Sequence, residues 1–192
     1  MTNPLRSPIL GALARVLARV LASVLAASLA ACSFPASDAR LGLDAPSENA
    51  SQWRPVANYL GYNCGTLDCH GSGQRNLVIW SCYGLRLSPT DVSGCLRGPL
   101  MPSTTAAEYD ATYRSLVGLE PNVMSVVVAS GGQNPDLLTL IRKARGEENH
   151  KGGTILTQGD GGVGTAADTC ITSWLGGATN VPACVLALQQ SP

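Results

Sequence analysis

Aromatic residues are scarce in this chain: one Phe, at Phe34, and 5% Phe, Trp and Tyr together. Aliphatic side chains must then do most of the packing unless a bound group helps. Histidine is scarcer, with His70 and His150 the only two. They leave few general bases, and no Ser-His-Asp set sits in a helix or elbow context, so catalysis is not expected. Charge of either sign is not in excess, since 13 basic residues meet 13 acidic ones. No basic patch suggests nucleic acid. The Gly-rich loop Thr157-Gln158-Gly159-Asp160-Gly161-Gly162 is followed by no phosphate-loop Lys, which argues against nucleotide binding. There is no internal repeat. The apolar run from Val20 to Ala31 is short for a membrane span and lies behind Arg15 and Arg19.

That run belongs to an N-terminal segment that reads as a secretion signal, with Arg6, Arg15 and Arg19 and no acid before Asp38. It ends in Leu29-Ala30-Ala31-Cys32, which resembles the lipobox of bacterial lipoproteins. The resemblance implies a signal peptide over 1–31, cleavage before Cys32 and lipidation of that cysteine. Ser33 follows rather than Asp. By analogy with enterobacterial lipoproteins, the expected place is the cell envelope, anchored to the outer membrane. A plain cleaved signal with a chance cysteine and a single membrane anchor are the other readings. Removing 1–31 takes three Arg and no acid, which leaves a net charge of −3. Residues 32–50 read as the lipidated cysteine and a flexible Pro- and Ser-containing tether. Residues 51–188 suit one domain.

Seven cysteines remain to be placed: Cys32, Cys64, Cys69, Cys82, Cys95, Cys170 and Cys184. Lipidation accounts for Cys32. In an oxidising compartment free thiols are not expected to persist. Cys82 and Cys95 enclose 12 residues and Cys170 and Cys184 enclose 13, both suited to local disulfides. Each loop closure is worth roughly 3 kcal/mol. Cys64 and Cys69 are left, and parity allows a third disulfide or two bonds to a bound group.

The expected class is mainly α, with long loops and short extended pieces at Leu77–Trp80 and Gly84–Leu87. A helix capped by Ser51 would align Trp53, Val56, Ala57 and Leu60. Thr105-Ala106-Ala107-Glu108 has capping-box form, with Tyr109, Tyr113, Leu116 and Val117 on one face and Gly118 to end it. Asn134-Pro135 would open a third helix carrying Leu137, Leu138 and Ile141 as far as Gly146. A fourth would start at Thr165, with Asp168 as reciprocal cap, and run through Ile171, Trp174 and Leu175 to Gly176.

The chemistry turns on Asn63-Cys64-Gly65-Thr66-Leu67-Asp68-Cys69-His70-Gly71. Haem attachment uses two thiols that add to the vinyl groups and an imidazole beside them that reaches iron, usually as C-x-x-C-H. Four intervening residues can still span the vinyls if the extra pair bulges outward, which Gly65 and Thr66 permit. The bland alternative is a Cys64–Cys69 disulfide with His70 as bystander. A zinc site from Cys64, Cys69, His70 and His150 is a third. Asp68 reads as a turn residue.

With Cys69-His70-Gly71, then Gly84-Leu85-Arg86-Leu87, a Leu-rich helix and a closing Trp174-Leu175-Gly176-Gly177-Ala178, the segment of about 51–180 resembles the cytochrome c-like domains of myxobacterial and planctomycete secreted proteins. The resemblance implies a small helical domain holding one haem c for electron transfer. Cys64 and Cys69 would form thioethers and His70 would be the proximal iron ligand. His150 stands where that pattern carries a Met-Pro distal ligand. Met101, before Pro102, is its rival, and Met124 is less well placed. Two histidines would give a closed, six-coordinate centre of lower potential than Met/His ligation. Such a centre suits electron transfer with a redox or envelope protein partner and not peroxidase or oxygen chemistry. The alternative function is a haem-free, disulfide-stapled envelope lipoprotein with a structural or interaction role.

Overall fold

A computed structural model describes residues 42–88, 104–159 and 161–189. Cys32, Cys95 and Met101 lie outside them, so their expected roles are not addressed. The compact unit starts at Leu43. Among the described residues the elements are six α-helices, α1 (Ala50–Asn63), α2 (Ala106–Val117), α3 (Pro121–Ala129), α4 (Thr139–Ala144), α5 (Val163–Leu175) and α6 (Val181–Gln189), with a 3-10 turn at Pro135–Leu137. The extended pieces meet only as an isolated bridge between Trp80 and Leu85. The class is therefore mainly α.

Helix α1 packs across α5 and α6 and touches α2. Trp53, Val56, Ala57 and Leu60 are buried, as their spacing predicts. The few aromatic residues are gathered where these helices cross. Trp53 and Trp174 lie 5.0 Å apart between ring centres, and Tyr113 meets Trp53 edge-on at 5.5 Å. Both indoles are satisfied, Trp53 donating to the Tyr109 carbonyl and Trp174 to the Ser47 carbonyl. Aliphatic residues such as Leu116, Leu138, Ile141, Leu156 and Ile171 fill the remainder. The Cys170–Cys184 disulfide ties α5 to α6 as expected. Cys82 is also disulfide-bonded.

Several boundaries differ from the sequence reading. The cap of α1 is Asn49, whose Oδ1 accepts from the Ser51 backbone N–H and hydroxyl, so Ser51 is inside the helix. The expected tether is docked well before residue 50: the Pro46 carbonyl accepts from Tyr113 and the Asp44 N–H donates to Ser125. The helix expected at Asn134 is two short pieces. Asn134 adopts a left-handed conformation, and Leu138 turns extended before α4 begins. Leu138 is thereby buried, and the Glu120 carboxylate caps α4 by accepting from the Thr139 N–H and hydroxyl. Helix α5 starts two residues early, at Val163, with Gly162 as N-cap. Asp168 is no cap there, because its two oxygens face the Arg145 guanidinium at 2.8 and 3.0 Å. Helix α2 matches the reading closely, with a complete Thr105–Glu108 capping box and Gly118 at its end.

Candidate functional site

Helix α1 delivers the chain directly into the Cys-His stretch. The Cys64 N–H closes the last turn on the Leu60 carbonyl. The chain then folds back, so that the His70 N–H donates to the Cys64 carbonyl at 2.9 Å. The residues between are pushed outward: Thr66 accepts from the Cys69 and Gly71 N–H groups, and Leu67 is 65% exposed. The Gly65 carbonyl is met from behind by Gly71 and Gly84, where a Cβ on either would collide with its oxygen. Arg75 braces the bulge by donating to the Cys69 and Asp68 carbonyls.

The segment after the motif is laced to α2 by a polar stripe on that helix. Ser115 accepts from the Val78 N–H, and Thr112 both accepts from the Trp80 N–H and donates to its carbonyl. Glu108, fully buried, accepts from the Arg86 guanidinium with both oxygens and from the Leu87 and Thr105 N–H groups. Burial by itself would raise the Glu108 carboxyl, but Arg86 and the two backbone donors outweigh it and hold the group below its usual value.

His70 is half-buried, and its Nδ1 lies 3.1 Å from the Leu77 carbonyl oxygen. A carbonyl only accepts, so this bond requires the proton on Nδ1 and leaves a lone pair on Nε2. Burial chiefly holds the ring below its ordinary pKa; the Leu77 bond opposes that shift, while His150 and Arg75 add to it. His150 repeats the arrangement from another part of the chain. Its Nδ1 lies 3.2 Å from the Gly153 carbonyl oxygen, which again requires Nδ1–H. The ring centres of His70 and His150 stand 6.2 Å apart with planes inclined by 25°.

Both histidines line a cavity of about 360 Å³. Its walls are apolar, from Leu60, Leu119, Leu140, Ile155, Leu156 and Ile171, and Gln74, Arg75, Asn76, Thr139 and Lys143 bring polar groups to it. Cys64 lines it as well. Cys64 and Cys69 carry free thiols, so the third disulfide allowed by parity is not formed. Burial, reinforced by the neighbouring Cys69, pushes the Cys64 thiol up to about 12. The zinc set is not assembled either: among the described residues no group of three or more His, Cys, Asp or Glu side chains could hold a metal ion. Met124 is buried in the core and does not reach the cavity.

No family model matches the chain, and no solved structure matches it at a significant level. The chain is 34% identical over 76 residues to Protein TCP17 of Trypanosoma cruzi. The match takes in 40% of this chain and 38% of that protein, so it spans well under half of the relative. The name states no activity.

The sequence points to Cys64, Cys69, His70 and the distant His150, and the structure brings His70, His150 and Cys64 to one cavity while Cys69 does not line it. Sequence reasoning misses the groups that hold them: Arg75, the Leu77 and Gly153 carbonyls, and the Glu108–Thr112–Ser115 stripe. Of these, only the stripe has a sequence signal, polar residues at helical spacing inside a confidently capped helix.

Proposed function

We propose that this protein is a c-type cytochrome-like electron-transfer protein with one haem held covalently by Cys64 and Cys69 and ligated by His70 and His150. One observation carries the reading: the chain's two histidines, 80 positions apart in sequence, come together with ring centres 6.2 Å apart in the lining of one largely apolar cavity, both Nδ1 atoms tied to backbone carbonyls. Tying Nδ1–H to a carbonyl orients an imidazole and raises its basicity at Nε2, the usual support of a metal-ligating histidine. The thiols of Cys64 and Cys69 are unoxidised, as addition to vinyl groups requires. The His70 N–H bond to the Cys64 carbonyl folds Thr66–Asp68 outward, which would accommodate the longer spacing. Arg75, which braces the bulge, and Lys143, which pairs with Glu148, stand beside the apolar walls, where their charges would lie near a macrocycle bearing two carboxylates.

When bound, the haem would supply a one-electron couple. His70 and His150 would both hold the iron, which would leave small ligands no open position, and the apolar walls would keep water away. No described helix is long and apolar enough to cross a membrane. Attachment to the envelope through a lipid on Cys32, which rests on the Leu29–Cys32 string alone, is part of the same proposal, with a redox protein as partner.

The test is direct. The full chain is produced in a host with c-type maturation machinery, denatured, and examined by mass and pyridine haemochrome spectrum. One covalent haem per chain, lost in the Cys64→Ala/Cys69→Ala double variant, is expected. A mass without haem, whatever the state of the thiols, ends the cytochrome reading.

A further inference from the structure

His150 sits in a turn built differently from the rest of the site. The Gly153 N–H donates to the His150 carbonyl at 3.0 Å, and the His150 Nδ1 returns a bond to the Gly153 carbonyl at 3.2 Å. The four residues His150-Lys151-Gly152-Gly153 thus form a closed ring of backbone and imidazole. Two glycines permit it. Gly153 has φ +71°, a conformation that other residues adopt only with strain. A Cβ at Gly152 would stand 2.8 Å from Cε1 of the His150 ring, 3.3 Å from Nδ1 and 3.4 Å from Nε2. The imidazole lies over a bare Cα because no side chain is there.

The frame around this turn is independent of it. The Ile155 and Leu156 N–H groups both donate to the Ala144 carbonyl, which fixes the far end of the loop on α4. Lys143 donates to the Asn149 carbonyl at the near end. The loop therefore holds its place whether or not the ring is seated, and the turn governs one thing, the seat and the tautomer of the His150 ring.

Resting on the cytochrome reading, we infer that Gly152 and Gly153 are positioning residues: together they lock His150 in the Nδ1–H form beside His70, with the Nε2 lone pair free, so the distal ligand is set before any iron arrives. A ligand loop without this lock would present Nδ1 or Nε2 indifferently and would pay an ordering entropy on each ligation. The Gly152→Ala change displaces the ring by contact. The Gly153→Ala change acts instead through the backbone, and the space at Gly153 is open, so the fold tolerates its side chain.

Two readouts test this. In the haem-free chain, ¹⁵N NMR of the ring nitrogens reports the tautomer of His150, assigned by comparison with His70→Ala. The wild type should be mainly Nδ1–H at a pH where the ring is neutral. Gly152→Ala and Gly153→Ala should shift to the Nε2–H form that free histidine favours, while Lys151→Ala should not. In the haem-loaded chain, Gly152→Ala should keep the covalent haem but lose the low-spin spectrum, and added imidazole should restore it. The same tautomer balance and the same spectrum in wild type and both glycine variants would overturn the inference. A chain with no haem but a locked Nδ1–H His150 would instead overturn the cytochrome reading and leave the turn standing. Covalent haem with unchanged glycine variants would do the reverse.

Discussion

His70 and His150 make the same bond, Nδ1 to a backbone carbonyl, from unlike surroundings. The carbonyl that accepts from His70 belongs to Leu77, a buried residue in a segment laced to α2. The carbonyl that accepts from His150 belongs to Gly153, an exposed residue three positions further along the same turn. One imidazole is oriented by the tertiary fold and the other by local geometry. The first cannot be disturbed without touching the core, whereas the second can be released alone. If both bind one iron, the protein has an anchored ligand and a detachable one.

The anchored side should break hardest at Glu108. Its two oxygens collect the Arg86 guanidinium and the Leu87 and Thr105 N–H groups in a site with no exposure. Glu108→Ala removes the carboxylate that accepts from the Arg86 guanidinium and from two backbone donors. Removing one partner of such a buried pair costs about 3–5 kcal/mol. Urea unfolding of the haem-free chain should show that loss, and His70 ring resonances should shift with it while those of His150 stay in place. Equal disturbance of both rings would mean that the two supports are not separate.

A smaller effect follows from pH. The folded Glu108 carboxyl titrates below its unfolded value, because Arg86 and the backbone donors outweigh burial. Its contribution to stability is therefore complete above the unfolded carboxylate range near pH 4.5 and is lost as pH falls through the folded value. The wild-type urea midpoint should drop as pH falls below about 4.5 toward the folded value. In Glu108→Gln that drop should be reduced, since the amide does not take up the proton. An identical acid profile in the two proteins would place the titrating group elsewhere.

The sequence exposes local structure better than it exposes these supports. The Thr105–Glu108 capping box was legible because both halves of it lie within one turn, and the Cys170–Cys184 loop because short loops close readily. What the pattern hides is that Glu108 does two jobs, capping α2 and binding Arg86 across the fold. Helix α3 escapes because Val126, Val127 and Val128 read against helix by propensity, and burial of Met124 and Val127 overrides that preference. Asn134-Pro135 has the form of a helix start, yet Asn134 turns left-handed and Leu138 breaks the run to reach the core. Helix α6 carries a legible signal, since Asn180 accepts from the Ala183 N–H as an N-cap would. At the site, the residue types that carry chemistry were readable because there are so few of them. Their supporting carbonyls were not, because a backbone acceptor carries no residue identity.

The smallest predicted effects separate the two histidines most cleanly. His70→Ala leaves the Leu77 carbonyl, in a buried stretch, without its donor, which costs about 1–2 kcal/mol in the haem-free chain. His150→Ala removes a bond that solvent can replace at an exposed carbonyl, and its cost should stay within about 0.5 kcal/mol. Both changes delete one imidazole and one bond of the same kind, so side-chain chemistry cancels between them and only the surroundings differ. Unfolding midpoints measured side by side therefore read the difference in support directly. Equal losses would show that the turn at Gly153 is as firmly built as the core beside α2, and the detachable character of His150 would have no physical basis. Unequal losses in the expected order make the distal position the one that can open without unfolding the domain, the property that decides whether a two-histidine centre stays closed.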